Sequence, residues 1–183
     1  MDKIVIIGAS GHAKVVIDIV EREGRYAIAG LVDSQRPIGE STLGHAILGR
    51  EADLPELMRK HSLRGALIAI GDNFVRSQVA ERLAGLCPNL PLVTAVHPSA
   101  AIARDVSIGA GTVIMAGACV NPCATIGRGC ILNTQSSLDH DCVMEDFSSL
   151  APRAVTGGNC RIGTCSAVCI GAVLAHGVGG GGH

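Results

Sequence analysis

The chain has 183 residues, of which 48% are hydrophobic and only 2% aromatic, and its formal net charge is −1 at pH 7. This length accommodates two small domains. The nearly neutral charge and the scarcity of aromatic rings exclude the basic surface and the stacking platform with which proteins bind nucleic acid. The first apolar run ends at Gly8, which is too short to span a membrane, and it follows no targeting segment. We therefore expect a cytoplasmic protein with neither nucleic-acid nor membrane partners.

Apolar runs of strand length alternate with segments of helical periodicity in the first half of the chain. The predicted strands are residues 3–7, 27–32, 66–70 and 92–96, and the predicted helices are residues 13–23, 51–61 and 75–84. This βαβαβαβ order predicts an α/β domain over residues 1–95 with a parallel, Rossmann-like sheet.

Glycines and polar residues follow three of these strands, at the sheet edge where ligands of such folds bind. A glycine turn that opens a helix suits phosphate, because free N–H groups and the helix dipole face the anion. The turn lacks the third glycine of the dinucleotide fingerprint, which favours a mononucleotide or nucleotide-sugar over NAD. A turn without any ligand is the alternative. The candidate substrate-binding residues are Gly8, Ser10, Gly11, His12, Asp33, Gly71, Asp72 and Asn73.

An aliphatic residue returns at every sixth position from Val96 to Leu174, and only Thr156 interrupts this axis column. Four residues after each of these positions stands a side chain of a second, small column, as at Ala118 and Ala124. Such paired columns are the hexapeptide signature of a parallel β-helix, in which three rungs close one coil of eighteen residues. The glycines are predicted to serve tight turns with positive φ. They include Gly109, Gly111, Gly127, Gly129 and Gly163.

Seven of the eight cysteines lie in the hexapeptide region, and three of them, Cys130, Cys142 and Cys160, fall in the small inward column. The chain contains no CxxC pair. Buried reduced thiols are therefore favoured over a metal site.

His140 stands two residues after the axis residue Leu138 and between two aspartates, so it is predicted to lie outside the axis. An exposed imidazole beside carboxylates is a candidate general base. One coil further along the same column is Gly158, whose N–H could face an oxyanion, and two coils further is His176. A solvated polar turn is the alternative interpretation.

Four groups of residues together resemble the sugar O/N-acyltransferase family, which includes sialic-acid O-acetyltransferases and UDP-4-amino-sugar N-acetyltransferases. The resemblance extends from residue 3 to about residue 174. It is carried by the segment Gly8-Ala9-Ser10-Gly11-His12-Ala13-Lys14-Val15-Val16, by Ile70-Gly71-Asp72-Asn73 with Arg76, by His97-Pro98-Ser99-Ala100, and by Asn133-Thr134 through Leu138-Asp139-His140-Asp141.

The resemblance implies a domain for a sugar or UDP-amino-sugar over residues 1–95. It also implies a left-handed β-helix over residues 96–176, which forms homotrimers and binds acetyl-CoA between subunits without a metal. The handedness rests on the resemblance alone. The implied activity is an acetyl-CoA-dependent acetyltransferase acting on a sugar or nucleotide-activated amino sugar in bacterial surface glycan biosynthesis, with N- and O-acetylation both open.

By the same resemblance, His140 is the catalytic base, Asp141 orients it, and Gly158 donates its N–H to the thioester carbonyl. Asn133 matches the site asparagine and His12 a substrate-contacting histidine. Ser149 lies in the acetyl-CoA site, where several members of the family carry a second histidine.

The end of the chain departs from the family, because residues 177–183 are a glycine-rich tail rather than a capping segment with valine and proline. Two other functions stay open. One is a non-catalytic trimer that binds a sugar nucleotide, and the other is a metal-dependent hydratase, which would need three converging histidines.

Overall fold

Strands and helices alternate through the first half of the chain in a computed structural model, which describes residues 1–179. The chain divides into two units, Met1–Ala95 and Val96–His183. The elements of the first unit are β1 (Asp2–Ile7), α1 (Gly11–Glu23), β2 (Tyr26–Val32), β3 (Ser41–Thr42), β4 (His45–Gly49), a 3₁₀ turn (Glu51–Asp53), α2 (Leu54–His61), β5 (Leu63–Ile68) and α3 (Asn73–Leu86).

The sheet of the first unit has the strand order β3-β4-β2-β1-β5, and only the β3–β4 pair is antiparallel. The interior strand β1 buries both faces, with Ile4 and Ile6 on one side and Val5 and Ile7 on the other. Helix α1 buries the apolar positions that its periodicity predicts and ends at Gly24, whose φ is 68°. The predicted Rossmann-like parallel sheet is confirmed.

The predicted strand over residues 92–96 is wrong. Leu92 forms a single bridge with Ala66, next to Pro91, which has no N–H to donate. Val96 belongs to the axis column of the second unit, so the strand Ala95–Val96 pairs in a β-helix sheet instead.

Other element boundaries in the first unit also differ from the prediction. Strands β3 and β4 were not expected, and the predicted helix over residues 51–61 starts as a 3₁₀ turn before α2. Helix α3 starts earlier than expected because the Asp72 side chain caps it, accepting the Val75 N–H at 2.8 Å. Within residues 1–179, no helix is both long and apolar enough to cross a membrane.

The second unit is a coil of two-residue strands, in which each strand pairs in parallel with the strand eighteen residues further on, as Val120 does with Leu138. The three resulting sheets confirm the predicted coil length. The strands are β6 (Ala95–Val96), β7 (Ala101–Ile102), β8 (Ser107–Ile108), β9 (Val113–Ile114), β10 (Cys119–Val120), β11 (Thr125–Ile126), β12 (Ile131–Leu132), β13 (Ser137–Leu138), β14 (Val143–Met144), β15 (Ser149–Leu150), β16 (Val155–Thr156), β17 (Arg161–Ile162), β18 (Ala167–Val168) and β19 (Val173–Leu174).

The axis and small columns together form the core of this coil. Middle members of the axis column, from Ile114 to Leu150, are almost completely buried, whereas Ile102 and Leu174 near its ends are more exposed. Three cysteines of the small column are buried, and each donates its thiol to a backbone carbonyl at 3.2 Å. Their prediction as inward-facing thiols is confirmed.

The corners of the coil have a fixed backbone position with positive φ, three residues after each axis residue from Ile102 to Leu174. Asp141, with φ 56°, and Gly129, with φ 62°, occupy this position. The prediction of positive φ is right for Gly111 and Gly129 but wrong for Gly109, Gly127 and Gly163. Gly109 and Gly127 are needed for a different reason, since a Cβ on either would collide with the next coil. The glycine-rich tail is described only as far as Gly179.

Candidate active site

His140 lies at a corner of the β-helix and is about half exposed (49%). The next residue, Asp141, occupies the corner position with φ 56°, which turns its side chain toward the imidazole. The Nδ1 atom of His140 and Oδ2 of Asp141 are 2.7 Å apart. We assign the proton to Nδ1, because the carboxylate accepts it, and this leaves the lone pair on Nε2 available to a substrate.

Two carboxylates set the protonation of His140. The hydrogen bond that His140 donates to Asp141 raises the pKa of the imidazole, and the negative charge of Asp139 adds to this effect. Asp139 itself is held in the ionised form, since its pKa is lowered by hydrogen bonds from the Asn121 side chain and the His140 N–H. The imidazole is therefore a stronger base than a histidine in water.

Gly158 lies directly beneath the His140 ring, as the coil spacing predicts. A Cβ on Gly158 would stand 2.5 Å from both Cε1 and Nε2 of His140, so no other residue fits here without moving the ring. Among residues 1–179, no acceptor pairs with the Gly158 N–H. A basic nitrogen thus lies close to a glycine whose N–H is open, and acyl transfer needs a base and an N–H donor of this kind.

His176 approaches His140 across this glycine. The two ring centroids are 6.3 Å apart and the rings are inclined by 46°. They meet although they are two coils apart, because Gly158 between them has no side chain. In the described part of the chain, no three His, Cys, Asp or Glu side chains are grouped so that they could hold a metal ion.

A cavity of about 370 Å³ opens at the carboxyl ends of the strands in the first unit. Of the predicted substrate-binding residues, Gly8, Ser10 and Asp33 line it. Both carboxylate oxygens of Asp33 are occupied by backbone N–H groups, from Ala9 at 2.8 Å and from Gln35 at 2.7 Å. Asp33 therefore shapes the glycine turn rather than presenting a free carboxylate.

Three charged residues of this cavity were missed by the sequence analysis. Arg36 donates to the Ala9 carbonyl at 2.8 Å and so holds the glycine turn from the other side. Arg82 of α3 forms a two-bonded ion pair with Glu51 of the 3₁₀ turn. These residues lie in loops or on a helix without a recognisable motif, so no signal in one sequence identifies them.

The other predicted residues of the first unit do not line the cavity, and three of them, His12, Gly71 and Asn73, form a cluster around Arg76. A Cβ on Gly71 would come within 4.0 Å of the His12 ring. Asn73 accepts a hydrogen bond from Arg76 at 2.6 Å, and Arg76, only 1% exposed, also donates to the carbonyls of Ile70 and Gly71. Gly11, at the start of α1, is exposed. Asn73 is therefore paired with Arg76 within the protein, and the Asp72 side chain is paired with the Val75 N–H at the start of α3.

His12 is the unsatisfied member of this cluster. Its Nε2 atom is buried and has no hydrogen-bond partner among residues 1–179. Burial and the positive charge of Arg76 lower the pKa of His12 to about 4, so its ring is neutral at physiological pH. A buried polar atom without a partner is costly, and a bound ligand would supply the missing hydrogen bond.

Asn133 and Ser149 belong to a different corner from His140. Asn133 follows β12 and Ser149 lies in β15, and these strands share one sheet. His140 follows β13, which is in the next sheet around the coil. A single chain thus distributes the predicted acetyl-CoA residues over two corners.

Residues 3–83 match the family described as PglD N-terminal domain. UDP-N-acetylbacillosamine N-acetyltransferase of Bacillus subtilis (strain 168) is 36% identical over 116 residues, which are 63% of this chain and 52% of that protein. The chain thus spans about half the length of that relative.

Two solved structures are similar over most of the chain. The H-to-A mutant of GDP-perosamine N-acetyl transferase from Caulobacter crescentus, in complex with CoA and GDP-perosamine, is 33% identical with a TM-score of 0.90, over 97% of this chain and 81% of that one. The acetyltransferase domain of PglB from Neisseria gonorrhoeae FA1090, in complex with acetyl coenzyme A, is 34% identical with a TM-score of 0.83. The match covers 93% of this chain and 80% of that one. This chain belongs to the sugar N-acyltransferase family.

Membership of the sugar N-acyltransferase family also decides the handedness that the hexapeptide pattern left open. The likeness to the perosamine acetyltransferase structure shows a left-handed β-helix, as the resemblance implied.

Proposed function

We propose that the chain is an acetyl-CoA-dependent N-acetyltransferase, and that its acceptor is the amine of a nucleotide-linked amino sugar used in bacterial glycan biosynthesis. The observation that carries this proposal is the close approach of His140 Nε2 to Gly158, whose N–H has no acceptor among residues 1–179. The named activities of the relatives support the same reaction, since each of them is an acetyltransferase.

In the proposed reaction, the sugar amine attacks the carbonyl carbon of the thioester. His140 takes a proton from the amine through Nε2, and the Gly158 N–H stabilises the negative charge that develops on the carbonyl oxygen. The intermediate then breaks its carbon–sulfur bond, and the thiolate of CoA leaves with the proton that His140 has held. Asp141 keeps the imidazole oriented through both proton transfers.

The first unit would bind the nucleotide part of the acceptor. Its cavity lies at the carboxyl ends of the strands, beside the N-terminus of α1. Ser10 at the N-cap makes no side-chain capping bond, so the first N–H groups of this helix are open to a phosphate. The His12 ring is neutral, and its buried, unpaired Nε2 atom would form a hydrogen bond with the same ligand.

We also propose a homotrimer, in which a neighbouring subunit brings Asn133 and Ser149 to the His140 corner and acetyl-CoA lies between the two. One face of the β-helix suits such contacts, because its outward-facing side chains are uncharged. They are Ala101, Cys119, Ser137, Val155 and Val173. We place the reaction in the cytoplasm, which fits the free thiols of all eight cysteines.

The release of CoA thiol from acetyl-CoA tests the proposed function. It would be measured with a panel of acceptors that includes UDP-linked and GDP-linked 4-amino sugars and free sialic acid. We expect release only with nucleotide-linked amino sugars. Tight binding of these acceptors without thiol release would instead support the non-catalytic sugar-nucleotide-binding protein.

A further inference from the structure

Thr156 places a hydroxyl in the otherwise aliphatic axis column of the β-helix. It is only 3% exposed, and a buried hydroxyl is costly unless it forms a hydrogen bond. Its Oγ1 atom accepts the backbone N–H of Asp139 at 3.0 Å and lies 3.6 Å from the Cys142 thiol. The interruption of the hexapeptide pattern thus coincides with a specific contact to the residue that precedes His140.

This contact replaces a backbone bond that recurs elsewhere in the coil. The residue after each axis position donates its N–H to the carbonyl of the axis residue one coil further on, as Asn121 does to Leu138 and Gly157 does to Leu174. Asp139 donates to the Thr156 side chain instead. The β13–β16 ladder consequently retains a single residue pair, Ser137 with Val155, whereas the ladders on either side of it have two.

The altered bond lies between the two halves of the candidate active site. Above it, the Asp139 carboxylate accepts the His140 N–H at 2.7 Å and so fixes the backbone that carries the base. Below it, Thr156 is followed by Gly157 and Gly158, and Gly158 lies against the imidazole. A change in this one hydrogen bond therefore changes the spacing between base and donor.

We propose that Thr156 is a positioning residue, whose hydroxyl sets the separation between His140 Nε2 and the Gly158 N–H. The kinetic consequence rests on the proposed acetyltransferase function, whereas the structural consequence does not. If Thr156 merely filled the axis, valine, which has nearly the same shape, would serve equally well.

Two substitutions separate the hydroxyl from the shape of the side chain. Thr156→Val keeps the shape and removes the hydroxyl, and Thr156→Ser keeps the hydroxyl. Thr112→Val is the matched control, because Thr112 is also buried in the β-helix and its Oγ1 also accepts a backbone N–H, that of Cys130 at 3.0 Å. Thr156→Ala, a second variant without the hydroxyl, takes the place of Thr156→Val if the latter does not fold.

The test combines NMR of the folded variants with steady-state kinetics. We expect Thr156→Val to shift the resonances of His140 and Gly158, and to lower kcat by about 10- to 100-fold with little change in KM, since small displacements of reacting groups have effects of this size. Thr156→Ser and Thr112→Val should resemble the unmodified protein in both measurements.

Unchanged His140 and Gly158 resonances in Thr156→Val would overturn the positioning role, and so would a Thr112→Val variant with the same kinetic defect. Shifted resonances in a protein that acetylates no acceptor would contradict the proposed function while supporting the positioning of the two groups.

Discussion

His140 owes its surroundings to one backbone angle, the positive φ of a corner position, which the sequence analysis expected only at glycines. Coil spacing places Gly158 next to it and an alternating rung would direct Asp141 to the opposite side, yet the φ of 56° at Asp141 brings the carboxylate to the imidazole. The sequence could thus predict which residues share a column. The resemblance implied that Asp141 orients His140, but coil spacing alone could not predict the hydrogen bonds of Asp141 and Thr156, since these depend on the exact course of the corner.

The acid limb of the pH profile of kcat/KM should depend on Asp141. A proton on His140 blocks its action as a base, so kcat/KM should rise with pH as the imidazole loses that proton. Asp141 raises the pKa of His140. Asp141→Asn should therefore lower this pKa and move the acid limb of kcat/KM to lower pH, while reducing the maximum rate because the base is weaker. An acid limb at an unchanged pH in this variant would contradict the assigned hydrogen bond between His140 and Asp141.

His12 should make the stability of the protein depend on pH. The folded protein binds a proton at His12 only near pH 4, whereas an unfolded chain binds it near pH 6.5. Unfolding is therefore favoured as pH falls from 6.5 to 4, and the loss amounts to about 3 kcal/mol at most. The free energy of unfolding of His12→Gln should lack this contribution in urea titrations at several pH values. If the free energy of unfolding fell equally with pH in the unmodified protein and in His12→Gln, His12 would not be held neutral in the folded protein.

At the scale of elements, repeats were more predictable than single strands. The hexapeptide columns fix the coil because each column is sampled many times, whereas β3 has two residues and β4 only five. The glycines show the limit of prediction from repeats. Gly109 and Gly127 are required because the next coil lies close to them, and not because their φ is positive. A composition pattern cannot distinguish these two causes.

Gly8, in the turn before α1, and Gly11, the first residue of α1, should respond differently to substitution by valine. Gly8 has φ 106° and a Cβ there would lie 2.9 Å from the Ala69 carbonyl oxygen, so Gly8→Val should destabilise the fold. No atom lies within 4 Å of a Cβ on Gly11, so Gly11→Val should fold normally but obstruct the phosphate approach.

Calorimetry with UDP- and GDP-linked amino sugars, together with thermal unfolding, checks this prediction. Gly85→Val is the control, because Gly85 is also in a helix and also has open space around its Cβ position. Unchanged sugar-nucleotide affinity in Gly11→Val would remove the turn from the proposed binding site. Acetyl-CoA affinity should be unaffected in this variant.

At the scale of the whole molecule, the separation of the predicted site residues over two corners is the feature that a single chain leaves unexplained. Asn133 and Ser149 share one sheet, and His140 follows a strand of the next. The sequence identified these residues through a resemblance, but it could not place them, because in the proposed trimer their meeting depends on a second subunit.

The protein should sediment as a homotrimer at micromolar concentration. Its uncharged face, with Val173 76% exposed and Val155 38% exposed, would be buried between subunits. Val155→Lys places a charge within this face and should shift the equilibrium toward monomers and lower the acetyl-CoA affinity. A monomeric unmodified protein with full activity would contradict the shared site.

Mass spectrometry of the acceptor after incubation with acetyl-CoA would show whether a nucleotide-linked amino sugar is acetylated at the His140 corner. We predict that the unmodified protein adds one acetyl group to such a sugar, and that His140→Gln does so about 10²- to 10⁴-fold more slowly, as expected for the loss of a general base. Equal rates for the two proteins, or no acetylated nucleotide sugar with the unmodified protein, would contradict this account.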